Sequence, residues 1–150
     1  MKTNFDTPRL ELKGFEEKDL HAVFCIFDDN KKQGETINFD EVVAKLHKMI
    51  ENHHYYALVL KQTQTVIGII YCKKLNEEDF EIGYLMNKNY KNSGYATEAL
   101  YGFTKMLEKE GAKKIVHLED GKNAKPYKLL ENEGFLNVSD LYKVMNFMKD

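Results

Sequence analysis

Apolar residues recur along the chain at two periods, and the switches between them divide it into elements. Leu10 to Phe15 alternates in the manner of a strand. Asp19 to Phe27 then places Leu20, Val23, Phe24 and Phe27 at helical spacing, and Asp28 to Asn38 is polar and loop-like. Phe39 to Asn52 predicts a second amphipathic helix, with Val42, Val43, Leu46, Met49 and Ile50 on one stripe. Tyr55–Leu60 and Val66–Leu75 are β-branched and aromatic runs joined by the short polar link Lys61–Thr65, which predicts a hairpin. Asn76 to Asp79 turns the chain into another strand, Phe80 to Met86. Tyr95 to Gly111 is the clearest helix, with Ala96, Ala99, Leu100, Phe103 and Leu107 on one face and a C-terminal glycine. A short strand at Lys114–Leu118, a helix at Ala124–Glu133 ended by Gly134, and a strand at Tyr142–Met148 complete the pattern. The order βααβββαβαβ is α/β, with helices available to cover both faces of one sheet.

Composition narrows the function classes. A chain of 150 residues that is 43% hydrophobic can bury a core of its own, so residues 1–150 are expected to form one domain. The net charge of −2 lacks the basic surplus of a dedicated nucleic-acid binder. Cys25 and Cys72 show no metal-ligand spacing and lie among apolar neighbours, which predicts buried reduced thiols and no metal site. His53-His54 likewise has no partner spacing for a metal and is expected to end the second helix. No signal-peptide core and no membrane-length apolar run is present, so a cytoplasmic protein without membrane partners is expected.

The chemistry concentrates at Lys91-Asn92-Ser93-Gly94-Tyr95-Ala96-Thr97-Glu98, between a strand and a helix. A glycine loop that empties into a helix start aims several backbone N–H groups at one spot, where the helix dipole also favours negative charge. Phosphate or pyrophosphate suits such a spot. The Lys-Ser/Thr of an ATP-binding P-loop is absent, and so is the dinucleotide GxGxxG.

This loop resembles the Q/R-x-x-G-x-G/A loop of the GNAT acetyltransferases, with Lys91, Gly94 and Ala96 at its first, fourth and sixth positions. The resemblance runs nearly end to end. Thr7-Pro8-Arg9-Leu10 with Asp19, then Glu81-Ile82-Gly83-Tyr84, then Gly94 to Ala99, then Asn123-Ala124 with Leu129-Leu130-Glu131 and Gly134-Phe135, are similar in order to the branch containing ribosomal-protein N-terminal acetyltransferases. It implies a single GNAT domain with a mixed, mostly antiparallel central sheet and helices on both faces. It also implies transfer of an acetyl group from acetyl-CoA to a primary amine on a small molecule or a protein, without a metal, by a monomer or a homodimer. Two positions depart from the pattern: Pro126 stands where the family carries Ser or Ala, and Leu130 where many members carry a proton-donating Tyr, with Tyr127 one turn earlier.

Carried over residue by residue, the resemblance puts the pyrophosphate on the backbone from Asn92 through Ser93, Gly94, Tyr95 and Ala96 to Thr97, beside Lys91. Glu98 is more simply a first-turn carboxylate that stabilises its own helix. Leu85, Met86 and Asn87 would pair with the pantetheine, one of their N–H groups polarising the thioester carbonyl. Asn123 is either a cofactor contact or a helix N-cap. Lys88, Lys91, Lys122, Lys125 and Lys128 could supply one or two contacts to the 3′-phosphate, or simply solubilise the surface. Glu81 is the general-base candidate, set against a solvated or salt-bridged strand carboxylate. An α-amine (pKa ~7.7–8.0) would need such a base far less than a lysine near ~10.4. The rival reading is a non-catalytic acyl-CoA-binding module, suggested by Pro126 and Leu130.

Overall fold

The computed structural model describes residues 4–74, 76–112 and 114–117. The expected helix at 124–133, the strand at 142–148 and residues 122, 123, 125, 126, 127, 128 and 130 lie outside the described residues. The described residues form two compact units, one of residues 4–70 with Tyr84–Tyr95, the other of Tyr71–Gly83 with the described residues between 96 and 117. Strands β1 (Phe5–Asp6), β2 (Leu10–Lys13), β3 (Tyr55–Leu60), β4 (Thr65–Lys74), β5 (Asp79–Met86) and β6 (Lys114–His117) are hydrogen-bonded neighbours in chain order. β1 pairs antiparallel with β2, and β2 with β3, Leu12 standing opposite Leu58. The tight turns after β3 and β4 can only join antiparallel neighbours. β5 and β6 are parallel, with Glu81 opposite Val116.

In the first unit, helices α1 (Leu20–Asp29) and α2 (Phe39–Glu51) follow β2. A 3₁₀ turn at Glu17–Asp19 introduces α1, and the Asp19 carboxylate, itself buried, accepts from the Glu16 N–H at 2.8 Å. The Asn38 side chain caps α2 by accepting from the Glu41 N–H at 3.1 Å. Val23, Ile26 and Phe27 of α1 and Val42, Leu46 and Met49 of α2 are buried, as are Leu10, Leu12, Leu58 and Ile67 of the strands. Each such side chain contributes about 1.5–3 kcal/mol through its removal from water.

The second unit contains most of helix α3 (Tyr95–Lys109). Its Ala99, Leu100, Phe103 and Leu107 are buried, as are Phe80, Ile82 and Cys72 on the strands. α3 closes in a Schellman arrangement about Gly111 (φ 101): the Ala112 N–H donates to the Leu107 carbonyl at 2.9 Å, and the Gly111 N–H to Glu108 at 3.1 Å.

Several expected boundaries move. The first strand stops at Lys13 instead of Phe15, and α1 runs on to Asp29, so the polar loop begins at Asn30. Asp28 and Asn30 lack apolar periodicity, but Asn30 holds the helix end with its side chain donating to the Ile26 carbonyl at 2.7 Å. Ile26, absent from the expected α1 face, is buried, whereas Leu20 and Phe24 are half-buried. The short strand β1 has too few residues to show a period. Of the two thiols, neither in a disulfide, Cys72 is buried and Cys25 only half-buried.

Candidate active site

The loop after β5 is built on interactions within its own unit. The Asn87 side chain accepts from the Asn89 N–H at 2.9 Å and starts a 3₁₀ turn at Lys88–Tyr90. The chain then reverses hand twice, at Asn92 (φ 64) and Gly94 (φ 82), before α3 begins at Tyr95. Asparagine visits that region at moderate cost, and glycine freely. Lys91, Asn92, Ser93 and Gly94 are exposed. No hydrogen bond among the described residues takes up the N–H of Asn92, Ser93 or Gly94. Donors left open at a helix start are the feature an anion requires.

Arg9, just ahead of β2, reaches this loop. Its guanidinium lies 4.3 Å from the centroid of the Tyr95 ring, its Nη1 donates to the Ser93 carbonyl at 3.4 Å, and the Tyr90 ring tilts against Tyr95 at 6.2 Å. A Cβ added at Gly94 would meet Arg9 Nη2 at 3.4 Å. The end of α1 holds the start of the loop. Asp29 accepts from the Lys88 N–H at 3.1 Å, the Asn30 amide donates to the Met86 carbonyl at 2.9 Å, and Asn30 Oδ1 accepts from Lys91 Nζ at 3.2 Å. Lys88 Nζ stands 3.9 Å from Asp29. Both loop lysines thus have protein partners.

The same contacts sort the three expected oxyanion donors. The Asn87 N–H donates to the Ile67 carbonyl at 2.8 Å and is therefore occupied. Backbone groups of a strand alternate in direction, so Leu85 also turns toward β4, and its carbonyl oxygen would lie 2.8 Å from a Cβ at Gly68. Met86 turns the other way. Its N–H is the donor that the alternation leaves directed away from β4.

Glu81 belongs to the other unit and was expected to be either a base or a solvated carboxylate. It is 8% exposed, and among the described residues no side-chain hydrogen bond or ion pair reaches its carboxylate. In the same unit, burial, followed by the charges of Glu110 and Glu81, pushes the Cys72 thiol up beyond its ordinary range.

Sequence reasoning gave no role to Arg9, Asp29 or Asn30. Arg9 carried a signal only as part of the Thr7-Pro8-Arg9-Leu10 run; the other two had none, because their partners lie far along the chain. Tyr95, Ala96 and Thr97 occupy the first turn of α3, and Glu98 stands there too, as expected for a helix-stabilising carboxylate. Among the described residues no group of three or more His, Cys, Asp or Glu side chains could hold a metal ion. No helix among them is long and apolar enough to cross a membrane.

The family model described as an acetyltransferase (GNAT) domain matches residues 9–136. The chain is similar to an uncharacterised N-acetyltransferase of Bacillus subtilis (strain 168), YnaD, with 32% identity over 111 residues, 67% of this chain. The match spans 65% of that relative's own length. Among solved structures, a GNAT-family acetyltransferase from Bacillus anthracis superposes with a TM-score of 0.73 at 23% identity, covering 87% of this chain and 82% of that one. The ribosomal-protein-S5-alanine acetyltransferase from Vibrio fischeri superposes with a TM-score of 0.65 at 16% identity, covering 90% and 84%. At these identities the structural likenesses establish the fold.

Proposed function

The chain belongs to the GNAT acetyltransferase family, and from that premise we propose that it is an N-acetyltransferase that moves an acetyl group from acetyl-CoA to a primary amine. The observation that carries the reading is the loop of Asn92 to Gly94, left-handed at both ends, with its N–H groups open at the start of α3. Those donors, continued by the first turn at Tyr95, Ala96 and Thr97, suit the cofactor's pyrophosphate.

When bound, acetyl-CoA supplies an activated acetyl group, which the amine nitrogen takes up as the CoA thiol departs. The Met86 N–H serves the carbonyl oxygen, where negative charge gathers in the transition state. Glu81 accepts the amine proton, directly or through a water. Its share depends on the acceptor, since an α-amine is already roughly a tenth neutral at pH 7 and a lysine is not. The thiol, with an ordinary pKa of ~8.5, departs tolerably as thiolate, so Leu130 in place of a tyrosine is compatible with turnover. The acceptor is a small amine, a lysine or a protein N-terminus, and the site of action is the cytoplasm.

Calorimetry with acetyl-CoA and with ATP, paired with a thiol-release assay over a panel of amines, tests the reading. Saturable acetyl-CoA binding, little ATP binding and amine-dependent thiol release are expected. Binding without release for any amine would leave an acyl-CoA-binding module, and preferential ATP binding would overturn the assignment of the loop.

A further inference from the structure

We infer that Arg9 is a positioning residue for the donor: it clamps the Asn92–Gly94 loop in its phosphate-receiving shape by bridging the Ser93 carbonyl and the Tyr95 ring. The inference rests on the acetyl-CoA reading above and adds to it a residue from the opposite end of the unit's sequence. The loop needs such a clamp. Asn92 and Gly94 both sit at positive φ, which Asn92 adopts only at a moderate cost that glycine does not carry. No hydrogen bond from the N–H groups of Asn92, Ser93 or Gly94 holds the shape. If those donors are kept open for a ligand, the conformation has to be held from another side.

Arg9 provides that hold. It contacts the residue before Gly94 through Nη1 at 3.4 Å and the residue after it through a stack at 4.3 Å, while Nη2 covers the face where a Cβ would project. A planar guanidinium can stack and donate at the same time, which an ammonium cannot do equally well. Tyr90 tilts against the Tyr95 ring at 6.2 Å and ties the clamp to the turn that precedes the loop. A loop ordered before binding loses less entropy when the ligand arrives, so the clamp acts on donor affinity. The guanidinium also places positive charge beside the open donors, which favours an anionic ligand.

The discriminating experiment compares two donors, acetyl-CoA and S-acetylpantetheine, which keeps the thioester but lacks the pyrophosphate and nucleotide. Arg9→Ala, Arg9→Lys, Tyr95→Ala and the Arg9→Ala/Tyr95→Ala pair are measured with each, and folding is checked by circular dichroism and thermal melting. Arg9→Ala should raise KM and Kd for acetyl-CoA by about tenfold, consistent with loss of a cation–π contact and a charge-assisted hydrogen bond. It should leave kcat at saturating donor, and all constants for S-acetylpantetheine, near the wild-type values. Arg9→Lys should recover part of the loss, and the double variant should bind acetyl-CoA no more weakly than the weaker single variant. Unchanged acetyl-CoA constants in Arg9→Ala, or an equal fall with both donors, would overturn the clamp while leaving the proposed function standing. If Arg9→Ala does not fold, the same comparison in Arg9→Lys decides. A wild-type protein that fails to bind acetyl-CoA would overturn both.

Discussion

At Gly94 the backbone sits at φ 82, exposed, and a side chain would meet only Arg9 Nη2, at 3.4 Å. At Gly68, on β4, a Cβ would stand 2.8 Å from the Leu85 carbonyl oxygen, 2.8 Å from Met86 Sδ and 3.3 Å from Leu58 Cδ2. The first position requires glycine for its conformation, the second for the space that its neighbours occupy. Both lie in one unit, yet they govern different properties. Gly94 shapes a surface that a ligand would use, whereas Gly68 lets β4 and β5 pack at the segment carrying the Met86 N–H. A chain can therefore lose its ligand without losing its fold, or the reverse, according to which glycine is filled.

The sharpest break of that comparison is Gly94→Val. Backbone strain of ~1–3 kcal/mol, together with a methyl pair directed at Arg9, should weaken acetyl-CoA binding by ~100-fold or more while the melting temperature moves by only a few degrees. Calorimetry beside a thermal melt reads both, and wild-type affinity would show that the loop is not the site.

Glu81→Gln asks whether β5 does chemistry as well as packing. The variant should fold and bind acetyl-CoA normally, with kcat/KM for a lysine-like acceptor reduced by ~10²-fold. The deficit should shrink as pH rises toward the amine's own value of ~10.4, where the neutral amine needs no base. Equal pH–rate profiles for variant and wild type would remove Glu81 from the mechanism.

Gly68→Ala should give the opposite result to Gly94→Val. Contact with a backbone carbonyl cannot be relieved by rotating a side chain, so overpacking should destabilise the fold by ~1–3 kcal/mol. The fraction that stays folded should still bind acetyl-CoA, as denaturant titration with and without the ligand would reveal. Unaltered stability would mean that β4 and β5 have more room than their distances indicate.

The two cysteines extend the contrast to the smallest effect. Iodoacetamide should modify half-buried Cys25 in the native protein and reach buried Cys72 only on unfolding, which peptide mass spectrometry can follow. Because the folded-state value for Cys72 is raised, its contribution to stability is complete below the ordinary value of 9.0 and declines as pH rises above it. Cys72→Ala should flatten that alkaline decline, and an unchanged alkaline slope would separate it from this thiol.

Helices α2 and α3, the hairpin at β3 and β4, and the loop of residues 91–97 were all legible in the order of residues. Their signals are local: an apolar stripe at helical spacing, Gly111 at a helix end, a glycine before an amphipathic run. Tertiary structure alone decided how the loop is held. Arg9 meets Ser93 across 84 residues, and Asn30 joins Met86 across 56 and Lys91 across 61. It also decided that the Asn87 N–H is consumed by Ile67, and that Glu81 is buried where alternation alone allowed a solvated face. The physical reason is that periodicity records which side of an element is apolar, whereas the partner of a polar group depends on which distant element packs there. That choice is made by burial of the whole chain, and no window of sequence contains it.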